Sequence, residues 1–271
     1  MSDKNTKKID ESNSNNKKTA KVILIIIAVL MIIIGSVSFG IYLYNQYGAD
    51  VADRELSSVA STTQAASDNE DKAENPIDFD ALKEKNDEIY AWIKVPGTKV
   101  DYPIVQSADN DEFYLKHDAL TKKWQANGAI YTEMSNHTDF YDPITVIYGH
   151  NGYSDSMFTT LHKFEDKDFF DEHEYFYIYT PDSKLTYQII SAFKYDDRHI
   201  MNSFDFNDIT VLENFQETLI NPTSNNKNVR DKLDKTITRL DNIVILSTCI
   251  TNQKSSRYLV CGVLINNEKT D

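Results

Sequence analysis

Between Lys21 and Asp50 the chain has no charged residue, and Val22 to Tyr44 is almost wholly apolar. Wound as a helix, these 23 residues span roughly 34 Å at about 1.5 Å per residue, enough for a hydrocarbon core of about 30 Å. Lys17, Lys18 and Lys21 flank the start of the run, while Asp50, Asp53 and Glu55 follow its end. The positive-inside rule therefore predicts a cytoplasmic tail at 1–21, a membrane anchor at 22–44, and everything later outside the cell. A cleaved signal peptide is the competing reading, with Gly35-Ser36-Val37-Ser38 as its small-residue site. Signal-peptide apolar cores usually run about 7–15 residues, so the length favours an anchor that stays. Tyr42, Tyr44 and Tyr47 suit an interfacial aromatic belt. No second apolar run of this length exists, which predicts a single crossing of the cell membrane.

Beyond the anchor the chain turns polar. Residues 45–75 are small, acidic and poor in anything to bury, and read as a flexible extracellular stalk. Residues 76–271 read as one domain. The 271-residue chain is 41% hydrophobic and 26% charged, which supports a packed core and excludes wholesale disorder. Residues 1–21 hold six Lys against three acidic residues, a net +3, so the remainder, with 22 basic and 39 acidic residues, nets −17. A body this acidic repels a phosphate backbone, and nucleic acid is excluded as a partner. Two cysteines can build neither a disulfide framework nor a four-thiolate zinc site.

Within the domain, short β-forming runs alternate with helical pieces. Asp78 or Asp80 caps a predicted first helix on which Phe79, Leu82, Ile89 and Trp92 recur near helical spacing. Strands are predicted at 100–105, 128–131, 143–149, 174–180, 184–195, 243–248 and 257–265, the last two around an eight-residue loop. Helical segments are predicted at 109–117 and, in two pieces, at 157–170. An insertion at 205–235 carries a helix near 208–219, a break at Asn221-Pro222 and a second helix capped by Ser224. This order implies a mixed, mainly β barrel or sandwich.

Cys249 stands where the run Ile243–Thr248 gives way to polar residues, so its thiol can face a groove. Nucleophilic chemistry needs a thiolate, hence a cation or imidazole nearby. If the last two strands pair as a hairpin, Arg257 faces Cys249 across its mouth, placed to lower the thiol pKa or hold an oxyanion. The bland reading is a small buried hydrophobe beside a surface Arg. A Cys249–Cys261 disulfide is rejected, because Cys261 lies about 13 Å further along the strand at 3.2–3.4 Å per residue, and bridged Cα atoms lie within about 7 Å. Of six histidines, His150 stands out: it follows the strand ending at Tyr148, and Gly149 and Gly152 let the backbone bend there. His117, His137, His162, His173 and His199 read as solvated surface. No His/Asp/Glu spacing matches a metal motif, and Glu165, Asp166 and Asp168 read as a solvated acidic face rather than a calcium site.

Taken together, several segments carry a resemblance. They are Asp78-Phe79-Asp80-Ala81-Leu82, Ala91-Trp92-Ile93, Val95-Pro96-Gly97-Thr98, Val100-Asp101-Tyr102-Pro103-Ile104-Val105-Gln106, Tyr148-Gly149-His150-Asn151 and Leu246-Ser247-Thr248-Cys249. With the eight-residue step from Cys249 to Arg257 and the helical insertion before the last strand pair, the chain from about Pro76 onward resembles a class B sortase, a membrane-anchored cysteine transpeptidase of Gram-positive bacteria. One position departs: sortases usually read Thr-Leu-x-Thr-Cys, and Ile245 replaces the first Thr, which should alter packing more than chemistry. The lid motif and second membrane helix of pilin-assembling class C sortases are not evident in the sequence.

The resemblance implies an α+β fold, mainly β with inserted helices: a sortase-type β-barrel with N-terminal helices. It implies that Cys249 attacks a carbonyl within the sorting motif of a secreted protein, that His150 protonates the leaving amine, and that Arg257 supports the oxyanion. Ser247 and Thr248 would help bind the peptide. An amine of the peptidoglycan precursor or cross-bridge would resolve the thioester, with no cofactor and no metal. The alternatives are a cysteine peptidase, in which water resolves the thioester, and a non-catalytic membrane-anchored binding module.

Overall fold

The computed structural model describes residues 21–44, 75–152 and 155–270, with the Lys254 side chain excepted. The expected cytoplasmic tail and stalk therefore lie outside the described residues, Lys21 and Asn75 apart. The chain divides into two units, residues 1–47 and 48–271. In the first, helix α1 (Lys21–Tyr44) runs through the whole apolar stretch, 24 residues, which suits a single-pass anchor.

In the second unit, strands β1 (Ile89–Lys94), β2 (Asp101–Val105), β3 (Ile130–Tyr131), β4 (Ile144–Tyr148), β5 (Tyr175–Thr180) and β6 (Ser183–Asp196) are followed by β7 (Lys227–Val229), β8 (Ile243–Ile250) and β9 (Gln253–Lys269). They run β5-β1-β2-β3-β4-β8-β9-β6, and β6 pairs back onto β5, so the sheet closes into a barrel of eight strands. β9 pairs with β6 from Ser183 to Asp196. The other edge of β6 is shared by β5 and then the short β7. Closure leaves few free sheet edges.

β8 shows why its sequence is an unbroken apolar run. Val244 and Leu246 point into the barrel core with Phe176 and Tyr187. Ile243 and Ile245 point outward, into a second core with Cys261, Leu259 and residues of the helix Ile209–Ile220. A strand buried on both faces cannot alternate with polar residues. The insertion thus supplies Leu212, Phe215 and Leu219 as a cover for the outer face. Ile245 is fully buried opposite Cys261, in the outer core.

Several local expectations are corrected. The first helix, α2 (Phe79–Lys85), is capped by Asp78 as expected but stops before Ile89 and Trp92. Asn86 ends it in an extended conformation and accepts the Glu88 N–H, and the apolar residues beyond it belong to β1, paired on both sides. The helix expected after Ser224 is absent: the Ser224 side chain closes a local turn with Asn226, and β7 comes next. The eight-residue loop is a two-residue turn, Thr251-Asn252, because β8 and β9 both extend further than their apolar runs; Asn252 takes the left-handed conformation, φ 61°. The two expected pieces at 157–170 are a 3-10 segment, Thr159–Glu165, and α3 (Lys167–Glu172). The helix expected at 109–117 is a single 3-10 turn, Phe113–Leu115.

Candidate active site

β4 and β8 are parallel and in register from Ile144↔Ile243 to Tyr148↔Ser247. Parallel strands end at the same edge of a sheet. His150 follows Tyr148 by two residues and Cys249 follows Ser247 by two, so the pairing carries both to one rim. Two hydrogen bonds lock that rim. Gly149 N–H donates to Ser247 O at 3.1 Å, and Asn151 Nδ2 donates to Cys249 O at 3.2 Å. Arg257 is the register partner of Cys249. His150, Cys249 and Arg257, together with Ser247 and Thr248, border one cavity of about 300 Å³.

The flanking glycines act through space rather than backbone freedom. Neither Gly149 nor Gly152 has a positive φ. A Cβ on Gly149 would lie 2.6 Å from the Phe158 ring and from Ile130 Cδ1. The close approach of those buried side chains is what requires glycine beside His150.

His150 Nε2 lies 2.8 Å from the carbonyl oxygen of Leu115. A carbonyl only accepts, so Nε2 carries the hydrogen and Nδ1 is the nitrogen left to gain and lose a proton. The contact also fixes the ring, as a second partner does for catalytic histidines generally. Cys249 is exposed and Cys261 buried, both free thiols. Burial pushes the Cys261 thiol up to about 12 despite a hydrogen bond with Ser191, which makes it an inert core residue, as expected.

Tyr131, Tyr148, Glu133 and His199 form part of the cavity wall. Burial raises the pKa of Glu133, opposed by His199, whose Nε2 donates to Oε1 at 2.7 Å. Burial also pushes the Tyr131 and Tyr148 hydroxyls above their ordinary range, so both stay neutral. The Thr248 hydroxyl is buried in this wall with no hydrogen-bond partner among the described residues.

Reading His199 and His162 as solvated surface is corrected. His199 borders the cavity, and His162 packs against the backbone of Cys249 with Nε2 3.0 Å from its carbonyl oxygen. Each also has a local partner, Glu165 for His162 and the Asn202 N–H for His199, but what brings them to the site lies far along the chain, Cys249 for His162 and Glu133 for His199. His117 and His173 stack on Phe113 and Phe169, half-buried rather than free. His137 is exposed as expected, its pKa raised by Asp142. Asp166 is the N-cap of α3 and accepts the Phe169 N–H, and Glu165 pairs with His162. Among the described residues no group of three or more His, Cys, Asp or Glu is disposed to hold a metal.

The family model described as "Sortase domain" matches residues 93–265. Sortase B of Listeria monocytogenes is 28% identical over 246 residues, 87% of this chain and 94% of its own length. The crystal structure of Clostridium perfringens sortase B superposes with a TM-score of 0.62 at 29% identity, covering 70% of this chain and all of that one. Sortase B from B. anthracis superposes at 0.65 with 28% identity, covering 84% of this chain and 99% of its own.

Proposed function

The chain belongs to the sortase family, as a class B member, and on that footing we propose that Cys249, His150 and Arg257 carry its cysteine transpeptidase chemistry. The observation that carries this assignment is the shared rim: Cys249 paired with Arg257 on β8 and β9, with His150 on the same cavity.

In the proposed cycle the Cys249 thiolate attacks a peptide carbonyl carbon of the sorting motif. The electron pair moves onto oxygen, and the Arg257 guanidinium stabilises that oxyanion. Collapse breaks the C–N bond, and His150 gives its Nδ1 proton to the departing amine. A thioester on Cys249 remains. An incoming amine attacks it, His150 takes the amine's proton, and the thiolate leaves as the new amide forms. Ser247 and Thr248 would border the bound peptide. We assign the acceptor to an amine of peptidoglycan precursor or cross-bridge, and the topology to N-terminus inside, catalytic domain outside; the lysines before α1 and the acidic residues after it support that orientation.

The test is mass spectrometry of products from a library of sorting-type pentapeptides, with and without an amine acceptor. The expected result is a Cys249 acyl adduct and, with acceptor, a ligated peptide. Hydrolysis alone would make the protein a peptidase, and no adduct at all a binding module.

A further inference from the structure

A histidine that the proposed acid–base chemistry does not use holds the carbonyl of Cys249. His162 lies on the segment Thr159–Glu165. Its Nε2 is 3.0 Å from the carbonyl oxygen of Cys249, and its Nδ1 is 2.6 Å from Oε1 of Glu165. Its ring stacks on Tyr258, with centroids 5.1 Å apart. Asn151 Nδ2 donates to the same carbonyl at 3.2 Å and to Thr251 Oγ1 at 2.9 Å.

The partners set the hydrogen count on the ring. A carbonyl oxygen and an ionised carboxylate only accept. Making both contacts requires a hydrogen on each ring nitrogen, which is the imidazolium. Asn151 Nδ2 also approaches Nε2, at 3.4 Å, but its two hydrogens have the closer partners just named. Of the groups that these contacts bring to the ring, Glu165 is the charged one. Tyr258 is held neutral by burial, Cys249 presents its carbonyl, and Asn226 reaches Glu165 Oε2 at 3.4 Å.

The place matters because the β8–β9 register shifts between Cys249 and Ile250. Cys249 pairs with Arg257, but its successor pairs with Gln253, leaving residues 254–256 unmatched on β8. Regular pairing therefore does not continue past the nucleophile to fix its peptide plane, and rotation of that plane swings the side chain. Resting on the reading of Cys249 as nucleophile, we propose that Glu165 and His162 are a positioning pair for transpeptidation. They clamp the Cys249 carbonyl through a doubly protonated ring and hold the thiol in its attacking direction.

The test uses the full chain in detergent micelles, with kcat and KM measured for peptide transfer and selective ¹⁵N labelling of histidine. His162→Ala is expected to lower kcat by about tenfold to a hundredfold, the cost of misplacing a reacting group by about 1 Å, with KM little changed. His162→Gln, whose amide N–H can still reach the carbonyl, is expected to recover much of the loss, and Glu165→Gln to fall between. The ¹⁵N shifts of His162 are expected to show hydrogen on both nitrogens at the working pH. Wild-type kcat in His162→Ala, or one bare ring nitrogen, overturns the proposal. If His162→Ala fails to fold, Glu165→Gln decides, since that carboxylate is 38% exposed; an unchanged kcat there overturns it as well. A Cys249→Ala variant that still turns over removes the nucleophile assignment instead, and the ¹⁵N spectrum does not depend on that outcome.

Discussion

Arg257 lies directly across the ladder from Cys249, although only Thr251 and Asn252 form the turn between their strands. Three unmatched residues on β9 make up the difference. Arg257 and Cys249 border the same cavity, and Arg257 Nη1 donates to the Ser256 carbonyl at 3.1 Å. An ammonium has no planar fork with which to hold a backbone contact and an oxyanion together. Arg257→Lys is therefore expected to lose much of the rate, up to the roughly hundredfold to thousandfold that removal of one oxyanion donor costs. Turnover of wild type, Arg257→Lys and Arg257→Ala decides it. A Lys variant near wild type would reduce the residue to a neighbouring charge.

The two thiols should behave oppositely toward an alkylating reagent. Cys249 is exposed and Cys261 buried, and burial pushes the Cys261 thiol up to about 12. At neutral pH the folded protein is expected to take one adduct, on Cys249, and to lose activity with it. The chain in guanidinium should take two. Intact mass reads both numbers, and Cys249→Ala should show neither native adduct nor turnover while keeping its circular dichroism. Two adducts on the folded protein would contradict the burial of Cys261.

Stability should fall on the alkaline side. Burial raises the hydroxyls of Tyr90, Tyr148, Tyr187 and Tyr258 above their ordinary value of 10.0, and the Cys261 thiol above 9.0. Below these ordinary values both the folded and unfolded chains keep the protons, and the groups exert no pH dependence. Above them the unfolded chain ionises while the fold cannot, so stability drops by up to about 1.4 kcal/mol per pH unit for each fully buried group. Urea midpoints followed upward from about pH 8 should decline from about pH 9 onward. The Tyr187 hydroxyl has no hydrogen-bond partner among the described residues, so Tyr187→Phe should cost little at neutral pH and flatten the decline. A midpoint independent of pH up to about 11 would contradict this.

Gly149→Ala should be costly despite an ordinary backbone. The added methyl meets the Phe158 ring and Ile130 Cδ1 at 2.6 Å, and overpacking of this kind costs typically about 1–3 kcal/mol. Any relief that shifts Gly149 also shifts His150, so kcat should fall along with thermal stability. A variant with wild-type stability and rate would show that Phe158 yields freely.

Residues 49–271, separated from α1, are expected to be soluble and active on peptide in solution. The barrel core draws on residues from Phe79 onward, and the anchor forms a unit by itself. Insolubility or inactivity of this shortened chain would make the N-terminal segment part of the catalytic unit.

What the sequence disclosed depended on the range of the interactions involved. The β8–β9 hairpin was legible because Ile243–Thr248 and the run from Arg257 are β-forming and adjacent in sequence. The Cys249–Arg257 pairing came from that hairpin alone. His150 was found for its position at a strand end, though the reason for its glycine neighbour was packing against Phe158 and not a turn. Trp92 misled because helical spacing of apolar residues persists across Asn86, where the backbone in fact turns extended. His162, His199 and Glu133 stayed hidden, since each owes its role to a partner brought in by the barrel. The Leu115 carbonyl that fixes the His150 tautomer is a backbone atom, which no side-chain motif encodes.

The parallel pairing of β4 with β8 has a consequence for when the enzyme comes into being. It joins segments about a hundred residues apart, Ile144 with Ile243 and Tyr148 with Ser247. Contacts of such sequence separation form late, because the chain entropy of closing the loop must be met before the pairing returns anything. His150 and Cys249 are brought to a common rim only by this closure. Until it is complete the chain carries a thiol but no transpeptidase. On the proposed assignment, acylation of Cys249 has to wait until the barrel has shut, and maturation of activity should track the slowest folding phase.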